Sequence, residues 1–450
     1  MASRAKPCSR PLRFPAHSRS QQPCPLILPS NPFARYDSAA RVPRRFAHAR
    51  AQQMHAPAES PKPTLGFILL AGALTAFGAV SIDFYLPALP DIARHFGATA
   101  AAAQLTMSAF LAGMAIGQLG WGPLADRVGR RPPLLAGILI YTLASLALTR
   151  VPGIEALSAG RFVQGLGASA GLVIARAVIR DRYDTIESAR LFSLTFLVLA
   201  IAPMLAPTAG AWLLAHAGWE SIFLVLAAFG LIVGVSVLFG LPESRSAATA
   251  EQAAGETPLQ SYAAALKNRR VLAFVGAGAF NSAALFTYVS ASPALFIEHY
   301  RQPPSAFGGI FALNALGLVI ASQLNRAALS RWHPAVVARW GSAAALGFAT
   351  LLLLLSLAGV DSMIVTMGFL FFGLGSYGFV SANASALALG AMPQRAGSIS
   401  GLIGAGAFLF GALASAITAP FAASGPLPMA AAMAMGFLGA MLCIRLAIRS

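Results

Sequence analysis

Apolar residues along this chain come in blocks of about twenty, separated by short polar punctuation. The blocks fall at roughly 66–88, 103–122, 133–150, 157–178, 190–214, 221–240, 271–295, 305–325, 336–358, 362–388, 398–421 and 427–448. About twenty residues of helix cross a hydrocarbon core some 30 Å thick. Only a helix satisfies its own backbone over such a length in lipid. The pattern therefore predicts an all-α membrane protein with twelve transmembrane helices.

Composition sharpens this reading. With 57% hydrophobic and 10% charged residues, a soluble protein of this size would have too few charges to cover its surface. The net charge of +17 raises the possibility of a nucleic-acid partner, but its distribution argues otherwise. Residues 1–53 hold nine Arg, Lys6 and one acid, Asp37. One set of alternate loops carries 17 Lys/Arg from Arg127 onward, and the other set holds only Arg94, Arg150 and Arg301. The asymmetry places both termini in the cytoplasm and leaves no need for nucleic acid. Cys8, Cys24 and Cys443 are too scattered for a disulfide framework or a metal site.

Four segments follow from the pattern. Residues 1–63 contain eleven Pro, are Arg- and Ser-rich, and read as a disordered basic tail. Their composition has some transit-peptide character, although the prolines oppose an amphipathic helix; a start at Met54 is the plainer expectation. Residues 64–242 and 271–450 each hold six spans. The polar stretch 243–270 joins them as a cytoplasmic linker too short for a folded domain.

The charges near and within the spans carry the chemistry. Gly122–Pro132 reads G-P-L-A-D-R-V-G-R-R-P. Gly122-Pro123 should stop one helix, Gly129 permits positive φ, and Pro132-Pro133 starts the next. In the first span, Gly72, Ala76, Ala79 and Asp83 share one face, which turns Asp83 toward other helices. It is either a functional intramembrane acid or a solvated interfacial one. Arg161, Gln164, Gly165 and Ala168 form a similar face in the fourth span, where Arg161 is a charge partner for the interior or snorkels to the headgroups. Pro203, Pro207 and Gly210 share a face of the fifth span and should kink it. Pro87-Ala88-Leu89 recurs as Pro293-Ala294-Leu295 at the corresponding place of the second half, with Val289 where the first half has Asp83.

The loop with Gly122, Asp126, Arg127, Gly129, Arg130 and Arg131 resembles the signature loop between helices 2 and 3 of the major facilitator superfamily. The R-x-x-Q-G run from Arg161 resembles that family's fourth-helix motif, linked there to proton transfer. The kinked fifth span resembles its antiporter motif, departing at Ala206 and Ala209. Together with Asp83–Pro90, Pro293–Leu295, the Asn314 helix and Met392–Gly397, the chain is similar to drug:proton antiporters of the bicyclomycin/chloramphenicol-resistance (Bcr/CflA) type, from about Pro63 to Arg449. The resemblance implies two pseudo-symmetric six-helix bundles that export an amphipathic, drug-like compound in exchange for protons. It makes Asp83 and Arg161 the proton-coupling pair, with Arg161 the charge facing the carboxylate. The signature loop would gate the cycle, Asp126 facing the helix start at Ser398–Gly401. Tyr85, Gln164, Tyr288, Asn314, Phe371, Phe372, Tyr377 and Asn383 are the substrate-cavity candidates. No cofactor other than the coupling proton is expected, and the protein should be a monomer of the inner (plasma) membrane. The chain lacks G-x-x-x-x-G-K-[ST] and any convincing Ser/His/Asp or Cys/His arrangement, so neither an ATP-driven pump nor an enzyme is expected. A nutrient or metabolite facilitator of the same fold, or a non-transporting receptor, stays open. A titrating intramembrane site speaks against the facilitator, and a kinked fifth helix against the receptor.

Overall fold

The computed structural model describes residues 63–245, 255, 257–421 and 424–449, all within one compact unit, Ser60–Ser450. The basic tail, residues 1–62, and the expectations that concern it lie outside the described residues.

Twelve long helices follow in order: α1 Leu65–Asp83, α2 Ala100–Val128, α3 Arg131–Leu148, α4 Ile154–Arg182, α5 Thr185–Ala217, α6 Glu220–Gly240, α7 Arg269–Pro293, α8 Pro304–Leu329, α9 Pro334–Leu357, α10 Met363–Ala391, α11 Ala396–Thr418 and α12 Pro426–Arg449. Their starts carry the expected chemistry. Thr64 and Thr99 accept from the backbone N–H groups of Phe67 and Ala102, and proline opens α8, α9 and α12. Every apolar block of the sequence is a helix, and several run further than the hydropathy does. Within the linker, Pro258–Lys267 forms a short helix under a Thr257/Gln260 capping box.

One expectation is corrected. Gly122-Pro123 does not end α2, which continues two turns to Val128. The break comes at Gly129, whose φ of +104° is outside the helical range. Proline costs a helix one N–H donor, and in the last turns of a bundled helix neighbouring groups compensate for that loss.

Close packing of small residues holds the first half together. Gly113 of α2 lies on the Phe162 carbonyl of α4, and Gly165 of α4 lies on the Phe110 carbonyl of α2, so a Cβ at either position would overlap main chain. Two helix pairs join the halves, α2 with α11 and α5 with α8. Large apolar side chains such as Leu231, Ile232, Phe239, Ile364 and Ile417 point outward, as a lipid-facing surface requires. The repeated Pro-Ala-Leu elements interrupt helices in both halves: Leu86–Ala88 is a 3₁₀ turn after α1, and Ala294–His299 is a π-helical segment after α7.

Candidate functional site

Asp83 is the last residue of α1 and is buried, 4% exposed. Its Oδ2 has no hydrogen-bond partner. The turn that follows it is fixed by α5, because Gly210 packs on the Phe84 backbone where no side chain would fit. In the second half, Tyr288 of α7 is buried, 2% exposed. The Tyr288 hydroxyl accepts from Asn314 Nδ2 of α8 at 3.2 Å, and its ring stacks on Phe311 at 5.5 Å. The first half thus buries a carboxylate at the end of α1, and the second buries a tyrosine–asparagine pair on α7 and α8.

Arg161 is fully buried, yet it does not pair with Asp83, which corrects the sequence expectation. No ion pair involves it among the described residues. Its guanidinium donates to Gln164 Oε1 at 2.6 Å and to the Ser81 carbonyl at 3.3 Å. It lies over the rings of Tyr85 and Phe110, 4.3 and 4.2 Å from their centroids. Gln164 passes the chain on to Ser145 at 2.8 Å, and Ser81 shares a hydrogen bond with Tyr141 at 2.7 Å. Ser81 stands two residues before Asp83 on α1. Snorkelling to the membrane surface is ruled out by this burial.

The remaining cavity candidates scatter. Tyr85 and Gln164 belong to the Arg161 network, with Tyr85 also bonded to Thr106 at 2.6 Å. Phe371 packs on Gly317. Phe372 is 55% exposed and stacks on Phe348, which puts it on the outer surface of α10. The Tyr377 carbonyl accepts from Asn281 at 3.1 Å. Asn383 donates to Asn325 at 2.7 Å, an α10–α8 tie inside the second half. Helical spacing alone could not separate these from Tyr288 and Asn314, because either face of a membrane helix can be apolar.

The signature loop is a capped charge cluster. Arg130 ion-pairs with Asp126 and with Asp181 Oδ2, the latter at 2.7 Å. Glu243, just after α6, accepts from the backbone N–H groups of Arg130 and Arg131 at 2.8 and 3.1 Å. Partial burial opposes the Glu243 charge, but the N–H groups of Arg130, Arg245, Arg131 and Ser244 outweigh it and hold the carboxyl below its ordinary range. A side chain at Gly129 would meet this carboxylate. Arg245 donates to the carbonyls of Asp126 and Arg127. Sequence reasoning missed Glu243 and Asp181 as members, because each is more than fifty residues from Arg130.

Asp126 itself turns to Arg130, and the residue that meets the start of α11 is Tyr262. Its hydroxyl donates to the Leu119 carbonyl of α2 at 3.2 Å and lies against Gly401 of α11. Burial, and then the nearby Asp126 charge, push its hydroxyl up to about 12. Beside it, Ser261 is bonded to Ser398 at 2.8 Å. Toward the other end of the α2–α11 contact, Gln104 donates to the Ser415 carbonyl at 3.0 Å and to Thr418 at 3.1 Å, and Ser108 donates to Ser415 at 2.8 Å. Gln104 and Gln118 are the two amides of an otherwise largely apolar span, and sequence reasoning did not single out either.

Residues 68–415 match the family model described as Major Facilitator Superfamily. The chain is 30% identical over 368 residues, 82% of its length and 92% of the other's, to the bicyclomycin resistance protein homolog of Haemophilus influenzae. It is 34% identical over 268 residues, 60% of its length and 68% of the other's, to the multidrug resistance protein MdtL of Klebsiella pneumoniae. Among solved structures, the partially occluded inward-open xylose transporter XylE of E. coli has the same fold, with a TM-score of 0.65 at 14% identity over 84% of this chain and 96% of that one.

Proposed function

The chain belongs to the Major Facilitator Superfamily, and from that premise we propose that it exports small amphipathic, drug-like compounds in exchange for protons. The protein is a multi-pass membrane transporter of small molecules. Its relatives carry bicyclomycin- and multidrug-resistance names, which support export as the direction. Substrate binds between the halves, and rocking of one half against the other exposes it to each side in turn.

The observation that carries the coupling is Asp83, a buried carboxylate with an unpartnered oxygen at the end of α1. An isolated charge there is costly, so the carboxylate crosses the cycle either with a proton or with a substrate group that takes its place. One proton moving down about 150 mV supplies roughly 3.5 kcal/mol, at about 2.3 kcal/mol per 100 mV. That sustains a substrate gradient on the order of 300-fold. The loop at Asp126 lies on the cytoplasmic side of the inner membrane with both termini, as the 17-to-3 bias of Lys/Arg between alternate loops favours. There the loop gates the cycle.

Growth inhibition by a drug panel in a pump-deficient host tests the export reading. Expression should raise tolerance to some compounds, and Asp83→Asn should remove that protection. In detergent, wild type should release protons when substrate is added, and Asp83→Asn should not. Equal proton release by the two would move the coupling away from Asp83.

A further inference from the structure

The turn between α8 and α9, residues 330–333, holds a cation that the transport mechanism does not use. The backbone N–H groups of Arg331 and Trp332 share the Ala328 carbonyl, at 3.0 and 2.9 Å, and fold the turn back on the end of α8. Beside it lies a shallow groove of about 350 Å³, lined by Leu324, Ala327, Ala328, Ser330, Arg331 and Trp332. Its floor along α8 is apolar and its turn end is polar. Leu324 is 56% and Trp332 55% exposed, which suits a surface that lipid covers and a ring at headgroup depth. The Ser330 hydroxyl is already spent on the Ala327 carbonyl at 2.7 Å. Arg331 enters no ion pair among the described residues. In the second turn of α9, the exposed Trp340 has Arg339 5.8 Å from its ring, a second aromatic–basic pair near the same face. Six spans separate this turn from the Asp126 loop, so the two lie on one membrane face.

Charge decides what fits the groove. Between Glu298 and Asp361 the chain has Arg326, Arg331 and Arg339 but not one Asp or Glu. Those two acids lie beyond the opposite ends of α8 and α9, about 36 Å from the turn at 1.5 Å per residue over the 24 residues of α9. The neighbouring helices supply no counter-charge. α10 and α12, which pack on α9, contain no acid, and Glu187 of α5, which packs on α8, is held by Arg190 at 3.0 Å. The basic tail has the wrong sign to fill the groove, since residues 1–53 carry nine Arg, Lys6 and a single acid. We propose that the groove binds a phospholipid with an anionic headgroup, its phosphodiester on Arg331 and an acyl chain along Leu324, Ala327 and Ala328. Basic pockets between membrane helices recognise lipid head groups in this way. A zwitterionic phospholipid binds less tightly, because its ammonium finds no carboxylate on this hairpin.

The test is native mass spectrometry of the purified full chain, delipidated in detergent and titrated with dioleoyl phosphatidylglycerol or dioleoyl phosphatidylcholine. Wild type should bind the first phosphatidylglycerol about fivefold more tightly, the gain expected from one basic side chain near an anionic lipid. Arg331→Gln should bring that ratio to within about twofold, and Arg331→Lys should restore it. Arg270→Gln, which removes an exposed charge at the start of α7 on the same face, should leave the ratio as in wild type. Acyl-brominated lipids report where the lipid sits. Brominated phosphatidylglycerol should quench tryptophan fluorescence more than brominated phosphatidylcholine does, and Trp332→Phe should remove most of the difference. Equal affinity of wild type for the two lipids, selectivity that survives Arg331→Gln, or an equal loss in Arg270→Gln would overturn the proposal. So would displacement of the lipid by inorganic phosphate or polyglutamate at matched ionic strength, since neither has an acyl chain to lay along α8.

Discussion

Arg161 carries a full charge into the protein interior with no carboxylate beside it, and this decides what its removal should cost. Breaking a buried ion pair costs about 3–5 kcal/mol, because the partner charge is stranded. Here Arg161→Met would strand only neutral acceptors, Gln164 Oε1 and the Ser81 carbonyl. A destabilisation of about 1–3 kcal/mol is expected by equilibrium unfolding in mixed micelles. Because Arg161 and Asp83 do not touch, Arg161→Met and Asp83→Asn should add to within about 0.5 kcal/mol. A larger coupling energy would mean that the two charges do pair in solution. The sequence made part of this network legible. Arg161 and Gln164 sit three apart on one helix, where such pairs meet. Ser81, Tyr141 and Ser145 come from other helices, and nothing local announces which polar residues of different spans will face each other. The same blindness put Phe372 and Asn383 in the cavity, when one faces outward and the other ties α10 to α8.

At the scale of the element, the ends of helices were the hardest to read. Pro123 looks like a stop and Gly129 like a turn residue, but only Gly129 ends α2, because a proline in the last turns removes a single donor. What fixes the start of α3 is Glu243, brought from beyond α6 to accept the N–H groups of Arg130 and Arg131. Since the folded protein holds this carboxyl below its ordinary range, its contribution to stability is fully present above the unfolded value of about pH 4.3. It is lost as the pH falls through the lower, folded value. Glu243→Gln should therefore lower stability at pH 7, by less than about 1 kcal/mol for an exposed group, and flatten the acid limb by that same amount. An acid limb as steep as that of wild type would assign the loss to other carboxylates. The linker helix makes a second testable element. Tyr262 bonds α2 and packs on α11, so Tyr262→Phe should loosen the two helices at the Asp126 end. Longer spin-label distances between positions 119 and 401 would report that loosening, and unchanged distances would count against a latch.

The twelve-helix architecture was legible in the sequence because the bilayer sets the length of every element, and length is what hydropathy measures. The contact between the halves was not, because it depends on which faces of α2 and α11 meet, and both faces are equally apolar. In the structure that contact is closed at two levels, by Gln104 with Ser415 and Thr418, and by Gln118 against Gly404. A carrier that works by alternating access must open one level while the other stays shut. Replacing Cys8, Cys24 and Cys443, then introducing Gln118→Cys and Gly404→Cys, places two thiols where the native side chain already touches the α11 backbone position. Oxidation should link α2 to α11 at the Asp126 end and abolish turnover in proteoliposomes, and a reductant should restore it. Substrate binding measured with the link in place should persist, because Asp83, at the end of α1, is not part of the Gln118–Gly404 contact. Turnover that continues with the link formed would mean that α2 and α11 move as one body and that the halves part elsewhere, along α5 and α8.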